Sequence, residues 1–385
     1  MMLFFVFAAA LLVSVLLSEL AHRTVVSMAV VFLLVGFFAG GVTDVLSLQP
    51  GDPIVVYLAE LALFSVLFTD GMRVGVRDLA SAWHLPGRAL LFGLPLTLLF
   101  TALLAHYVAG LPWIYAFLIG AVLSPTDPVF ASAIVGSERV PERLRRLLNV
   151  ESGINDGLVL PAVVILLAVA SSGSVEPLKL LGELGLGIAL GVGIPWIALR
   201  LESSRFFAAA SGYEPLYALS IGIFVLAAAL VTHANLFLAA FSAGVTLATV
   251  SPRFKEAFHE FGELLAELLK LAAILVFGAL ISLSFLGEIE LSGYVFALLA
   301  LVLVRPLALL ISLAGSRIGW RIWGAAAWFG PKGFASVVYG LLVLESGAAR
   351  SDEVFHLVAL VIAASILAHS STDVFVASQF QEPEE

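Results

Sequence analysis

The sequence predicts an all-α polytopic membrane protein with about 13 transmembrane helices. Three observations carry this: composition, the spacing of apolar runs, and the distribution of Lys and Arg. Of 385 residues, 61% are hydrophobic and 12% charged, with a mean hydropathy of +1.09, against roughly 25% charged in a soluble domain. A membrane-crossing helix needs about 20 predominantly apolar residues, so this length accommodates a dozen crossings and leaves few residues for a soluble domain. The absence of Cys excludes disulfides, thiolate metal sites and thiol nucleophiles. A net charge of -9 gives no argument for a nucleic-acid partner. The opening MMLFFVFAAALLVSVLLSELAHR has a long apolar run with no basic residue ahead of it, and reads as a first membrane helix rather than a cleaved leader.

Apolar runs bounded by Gly, Pro and charge place helices at about 2–20, 24–41, 53–70, 86–109, 112–136, 146–170, 177–201, 213–232, 235–250, 262–286, 292–315, 320–346 and 353–378. This is a single transmembrane unit over 1–378, followed by a short cytoplasmic tail at 379–385.

Basic residues test the count independently, because Lys and Arg collect in the cytoplasmic loops. The odd-numbered loops and their margins hold Arg23, Arg73, Arg77, Arg88, Arg139, Arg143, Arg145, Arg146, Arg200, Arg205, Arg253, Lys255, Arg317 and Arg321; the even-numbered ones hold only Lys179 and Arg350. The alternation predicts an outside N-terminus, a cytoplasmic C-terminus and a multi-pass protein of the cell inner (plasma) membrane. Thirteen spans also fit two inverted six-helix repeats joined by the seventh, an arrangement in which corresponding helices are interrupted near the midplane. Helix 5 then corresponds to helix 12. Helix 5 carries SPTDP at 124–128 and helix 12 carries FGPKGFAS at 329–336, so both are expected to be broken there.

Several ionisable residues fall within these apolar segments: Glu60, Asp127, Glu151, Asp156, Lys270, Arg305 and Lys332, with Asp70 and Asp373 near cytoplasmic ends. Each costs about 2.5–3.5 kcal/mol at a helix centre and therefore calls for a partner or an ion pathway. Pro125 and Pro128 bracket Thr126 and Asp127. Since proline lacks a donor and disfavours helix in the residue before it, the bracket should free backbone carbonyls as oxygen ligands. A simple proline kink with Asp127 capping the next half-helix is compatible with that reading.

Glu151, Asn155 and Asp156 follow at i, i+4 and i+5, with Glu151 and Asn155 on one face and Asp156 turned about 100 degrees from Asn155. Gly153 and Gly157 thin this helix for the approach of another backbone. With Thr126, Asp127 and Ser152 the set supplies hard oxygen donors of the kind an alkali cation takes, water completing the shell. A carboxylate there can hold a cation or a proton, and mutually exclusive occupancy with alternating access suffices to exchange one for the other.

Arg305, in the middle of YVFALLALVLVRPLALLISLAG, requires a partner, and Glu151 is the first choice. Lys332 either balances the half-helix ends or Asp127, or takes part in proton coupling. Lys270 follows Glu263 and Glu267 and is expected to pair with Glu267 at the membrane interface. Glu60 is divided between helix packing and a pathway. None of the seven histidines shows metal-ligand spacing; His84 and His259 are read as surface groups.

At SPTDP and ESGINDG the sequence resembles the NhaP-like branch of the monovalent cation/proton antiporters, related to the eukaryotic sodium/proton exchangers. The resemblance extends over nearly the whole chain: Thr-Asp in helix 5, Glu-Ser-x-x-Asn-Asp in helix 6, Arg-Pro in helix 11 and Gly-x-basic-Gly in helix 12. It implies a homodimer with a dimerisation domain and a mobile core domain that exchanges Na+ or Li+ for H+ by an elevator-like movement, a role in pH homeostasis. Through it, Asp127 and Asp156 are the ion and proton carboxylates, Thr126 and Ser152 further ligands to Na+, Asn155 a positioning group, and Glu151 with Arg305 a structural ion pair. The Asn-Asp pair implies electroneutral one-for-one exchange.

Two departures stand out. Relatives often carry a carboxylate where LFTDGMR has Thr69, and here it is Asp70; relatives often carry Arg where FGPKG has Lys332. The expectation includes no cofactor, no protein substrate and no partner beyond lipid and a second copy. K+ for H+ is the alternative exchange, and a cation channel a more distant one. An intramembrane hydrolase is not supported, since there is no Cys, HExxH or GxGD.

Overall fold

Two helices are interrupted within buried segments, one ending at Val122 and the other divided between Trp328 and Phe334. The computed structural model describes residues 1–16, 27–73, 85–127, 134, 137, 138, 140–172, 176–204, 206, 207, 210 and 212–380. Outside this set lie Pro128, His22, Arg23, Arg77, His84, Arg139, Arg205, residues 381–385 of the expected tail, and the ends of the spans expected at 2–20, 24–41 and 112–136.

The helices, in chain order, are α1 (Met2–Leu16), α2 (Met28–Val42), α3 (Pro53–Arg73), α4 (Pro86–Tyr107), α5 (Trp113–Val122), α6 (Glu142–Ser172), α7 (Pro177–Glu202), α8 (Glu214–Thr232), α9 (Leu236–Val250), α10 (Pro252–Leu280), α11 (Leu291–Ser312), the two halves α12a (Trp320–Trp328) and α12b (Phe334–Glu345), and α13 (Ser351–Ser370). Short helices at Leu283–Glu288 and Asp373–Ser378 join or extend them. Every regular element among the described residues is helical, as expected for a chain whose backbone polar groups must be satisfied without water. Seven helices have the length and hydropathy to cross a membrane; α1, α2, α5, α9 and α12b are apolar but shorter.

Several boundaries differ from the sequence reading, each for a local reason. The tenth helix begins at Pro252 rather than at 262: Ser251 is extended and Pro252 occupies the first turn, where its missing donor costs nothing. It ends at Leu280, ahead of 286, and Ser282 caps a new short helix through its Phe285 N–H contact. The fifth helix stops at Val122 and the twelfth is divided between Trp328 and Phe334. The thirteenth ends at Ser370 and restarts at Asp373.

Packing sorts the helices into two groups. In one, α3 packs chiefly on α9 and α10, α9 on α7, α10 on α2, and α8 on α9 and α10. In the other, α4 packs on α5 and α11, α6 on α5, α11 on α12a, and α12b on α13. The groups meet where α6 and α12b lie against α3, and α10 against α12b. Large buried side chains fill the seam, among them Leu63 and Leu67 from α3, Phe277 from α10, and Phe334 and Tyr339 from α12b. All the buried charges discussed below lie at or beside this seam.

Candidate ion site at the crossing of two interrupted helices

Breaking a helix in an apolar interior leaves carbonyls and N–H groups unpaired, each costing several kcal/mol unless another group satisfies it. The breaks at 123–127 and 329–333 satisfy each other. The Asp127 N–H donates to the Pro331 carbonyl at 3.0 Å, and Ser336 Oγ donates to the Val122 carbonyl at the end of α5 at 2.7 Å. The Phe334 N–H at the start of α12b donates to Asp127 Oδ2 at 3.3 Å, and the Lys332 N–H donates to Ser365 Oγ of α13 at 2.7 Å. Gly333 is dictated by this contact, because a Cβ there would overlap the Asp127 side chain.

From α6, Ser152 and Asn155 reach the same break. Thr126 Oγ1 and Ser152 Oγ share a hydrogen bond of 3.1 Å. Asn155 Nδ2 donates to Thr126 Oγ1 at 2.8 Å and to the Thr126 carbonyl at 3.3 Å. Its Oδ1 is buried and accepts nothing among the described residues. Asp156, 6% exposed, makes no ion pair among the described residues, yet lies within electrostatic reach of Asp70, Asp127 and Lys270; the Tyr339 hydroxyl holds its backbone carbonyl at 2.9 Å. Gly157 has a different role from the one read in the sequence: a Cβ there would strike the Phe241 ring, so it makes room for an aromatic side chain rather than a backbone.

One turn along α6, Glu151 meets Arg305 in a buried bidentate pair, Nη1 to Oε1 at 2.7 Å and Nη2 to Oε2 at 2.9 Å. Arg305 Nε donates to the Ala326 carbonyl of α12a at 2.9 Å. The guanidinium is positioned by a π-type turn at Ala300–Val304 immediately before Pro306, whose ring supplies no donor. Gly330 accommodates the Arg305 side chain, which a Cβ would displace.

Three residues stand differently from their sequence readings or add to them. Lys270 is not an interfacial partner of Glu267: it is buried at 8% exposure, with its Nζ 3.7 Å from Asp127 Oδ2. Asp70 is buried and pairs with Arg73 at 3.0 Å, while Arg73 also binds Glu263 at 2.9 Å. Thr69 is buried beside it. Lys332 has a buried Nζ with no hydrogen-bond partner among the described residues, and its charged neighbours are Arg305 and Glu151 rather than Asp127. The signal that places Lys270 was available: Gly262, Ala266, Lys270 and Ile274 recur at i+4 and form one buried face of α10.

A cavity of about 510 Å³ lies between α3 and α10, lined by Thr69, Asp70, Arg73, Glu263, Glu267 and Lys270. Of its lining residues, Lys270 also contacts Asp127 at the crossing. Among the described residues no three His, Asp or Glu side chains are grouped to chelate a metal ion. The oxygen donors at the crossing are instead a carboxylate, hydroxyls, an amide and carbonyls, the mixture suited to a weakly held alkali cation that keeps some water.

A polytopic helical protein with two interrupted helices crossing beside buried carboxylates has the architecture of secondary transporters. Comparison with known proteins gives the family. Residues 7–377 match the family described as sodium/hydrogen exchanger, transmembrane, and the chain belongs to that family. It is 27% identical over 374 residues to the K(+)/H(+) antiporter NhaP2 of Shewanella baltica, covering 94% of this chain and 63% of that protein. It is 24% identical over 372 residues to the K(+)/H(+) antiporter NhaP of Alkalimonas amylolytica, covering 92% and 63%. The chain thus spans under two thirds of these relatives' length. The structure of the sodium proton antiporter MjNhaP1 from Methanocaldococcus jannaschii superposes with a TM-score of 0.78 at 19% identity, over 99% of this chain and all of that one, which establishes the shared fold.

Proposed function

We propose that the protein is a secondary antiporter that exchanges a monovalent cation for H+ across the membrane, with cation and proton competing at Asp156 and Asp127. The carrying observation is Asp156: a buried carboxylate without an ion-pair partner among the described residues, within electrostatic reach of Asp127, on the helix whose Ser152 and Asn155 bond Thr126. An uncompensated carboxylate in a low-dielectric site must take up a positive charge, and a proton and an alkali cation are alternative ways to supply it. Binding of one excludes the other, which is the coupling an antiporter requires.

Na+ or Li+ is the primary reading, on the small hard-oxygen donor set and on the sodium named for the structural relative. K+ is the second, because both curated relatives are named as K+/H+ antiporters. The reading extends to electroneutral 1:1 exchange, a homodimer, an outside N-terminus, thirteen membrane crossings and elevator-like movement of the α4–α6 and α11–α13 group against the other. Support for the inverted repeat comes from α4 and α11: each widens into a π-type turn, at Ala89–Gly93 and Ala300–Val304, one residue before Pro95 or directly before the Arg305-Pro306 step.

The test is dequenching of a pH-sensitive dye in everted vesicles on addition of Na+, Li+ or K+ in turn. At least one ion should collapse the imposed pH gradient with the native protein and none with Asp156→Asn. Retained activity in that variant would overturn the carrier assignment, and a response to K+ alone would overturn the sodium reading.

A further inference from the structure

Among the described residues, Lys270 is the one buried cation that reaches the site from the opposite helix group. Two other pairs there are made within one helix group: Glu151 with Arg305 inside the α4–α6 and α11–α13 group, and Asp70 with Arg73 inside α3. Lys270 belongs to α10, Asp127 to the break after α5, and their contact of 3.7 Å spans the seam between groups. That separation exceeds hydrogen-bond length but lies within ion-pair range, so the ammonium neutralises Asp127 without being bound to it as a fixed ligand. It also lines the cavity between α3 and α10. The charged groups facing it are Asp127, Asp70, Asp156, Glu267 and Arg73.

An antiporter has a requirement that its ligands alone do not meet: the carrier must not reorient when empty, because each empty crossing dissipates the gradient. A site with its carboxylates bare is anionic, and its passage through the membrane is opposed only by the cost of moving that charge. A latch across the moving seam, made when Asp127 is bare and broken when Asp127 is neutralised by a cation or a proton, would enforce the rule directly.

We propose that Lys270 is this latch: a tethered cation that pairs with Asp127 when neither transported ion is bound and so holds the unloaded carrier in place. The inference rests on the antiport reading. When a cation or proton takes the charge of Asp127, the attraction across the seam is lost and the two groups separate. Lys270 is thereby a coupling residue rather than a ligand, and its loss converts part of the exchange into unpaired cation flux.

The experiment uses the full chain in proteoliposomes, with the membrane potential clamped and the transported cation loaded inside. Cation efflux and proton uptake are measured together for the native protein, Lys270→Gln, Lys270→Met and Lys270→Arg. Native protein and Lys270→Arg should move the two ions in equal amounts, whereas Lys270→Gln should release several-fold more cation than the protons it takes up. Lys270→Met, which retains the apolar stem and its packing, should behave like Lys270→Gln and carries the test if the Gln variant is not recovered folded. Matched fluxes in both neutral variants would overturn the proposal, as would slippage in Lys270→Arg equal to theirs. Absence of any coupled flux in the native protein would instead overturn the antiport reading.

Discussion

Arg305→Gln and Glu151→Gln should each destabilise the protein severely, and the double variant should be less harmful than the two effects added. Arg305 places two guanidinium N–H groups on Glu151 and a third on the Ala326 carbonyl, all between 2.7 and 2.9 Å, and both side chains are 7% exposed or less. At about 4 Å and an effective dielectric near 20 the attraction of such a pair is about 4 kcal/mol. Removal of one partner from a buried pair costs about 3–5 kcal/mol, because the other charge is left without compensation. Arg305→Gln also removes a donor from the Ala326 carbonyl, a further ~1–3 kcal/mol where that group stays dry. Removing both charges cancels the stranded-charge contribution, so the coupling in the cycle should be about 2–3 kcal/mol. Heating of detergent-solubilised, fluorescently tagged protein, followed by size exclusion, ranks the four proteins by melting temperature. The expected order is native, Glu151→Gln, then Arg305→Gln, with the double variant at or below Arg305→Gln but above the sum of the two single shifts. A double variant whose melting temperature falls by the sum of the two single shifts would refute the pairing energy. A stable Glu151→Gln protein that has lost transport would refute the structural role and return Glu151 to the list of carriers.

Two further outcomes follow from the crossing. Since a protonated Asp156 holds no cation, lowering pH should raise the cation concentration giving half-maximal exchange, by up to about tenfold per pH unit in the range where the site is protonated; a half-saturation constant independent of pH from 6 to 9 would exclude competition. Gly333→Ala should abolish exchange or prevent folding, because its Cβ would overlap the Asp127 side chain, and vesicle assays beside a melting curve distinguish the two.

The helix interruptions were legible in the sequence because proline acts locally: Pro125 and Pro331 remove donors wherever the chain goes, so SPTDP and FGPKG announce breaks without tertiary information. What the breaks bond to was not legible. The Asp127 N–H reaches the carbonyl of a residue some two hundred positions away, and nothing in either motif encodes that length of separation. Lys270 illustrates the same limit. Its sequence neighbours Glu263 and Glu267 offer an obvious local pair, but the helix face it shares with Gly262 and Ala266 is the buried one, and burial decided the partner. The tenth helix starts ten residues before its apolar run because the charged stretch PRFKEAFHEFGE continues the helix, and its end at Leu280 is set by the Ser282 cap of the next helix; hydropathy marks where a helix is apolar, whereas capping and proline mark where it starts and stops.

Under the proposed exchange, the crossing also explains why few residues suffice to govern the cycle. Four backbone groups at the two breaks and the helix ends beside them are satisfied across the crossing or by α13, so separating these elements would expose groups worth several kcal/mol each in an apolar surrounding. Thr126 is fastened to α6 by Asn155 and Ser152, and α6 to α11 by Glu151 and Arg305. The site is therefore stiff, and it moves with its whole helix group or not at all. Across the seam the contacts are largely apolar, and apolar contacts respond little to the charge state of the site. The differential free energy that an ion must supply to shift a conformational equilibrium is consequently concentrated in the charges facing one another there: Asp127 and Asp156 on one side, Lys270 and Asp70 on the other. A bound cation or proton changes that small set alone, and in a medium of low dielectric a change of one charge is enough to decide which arrangement the helices adopt.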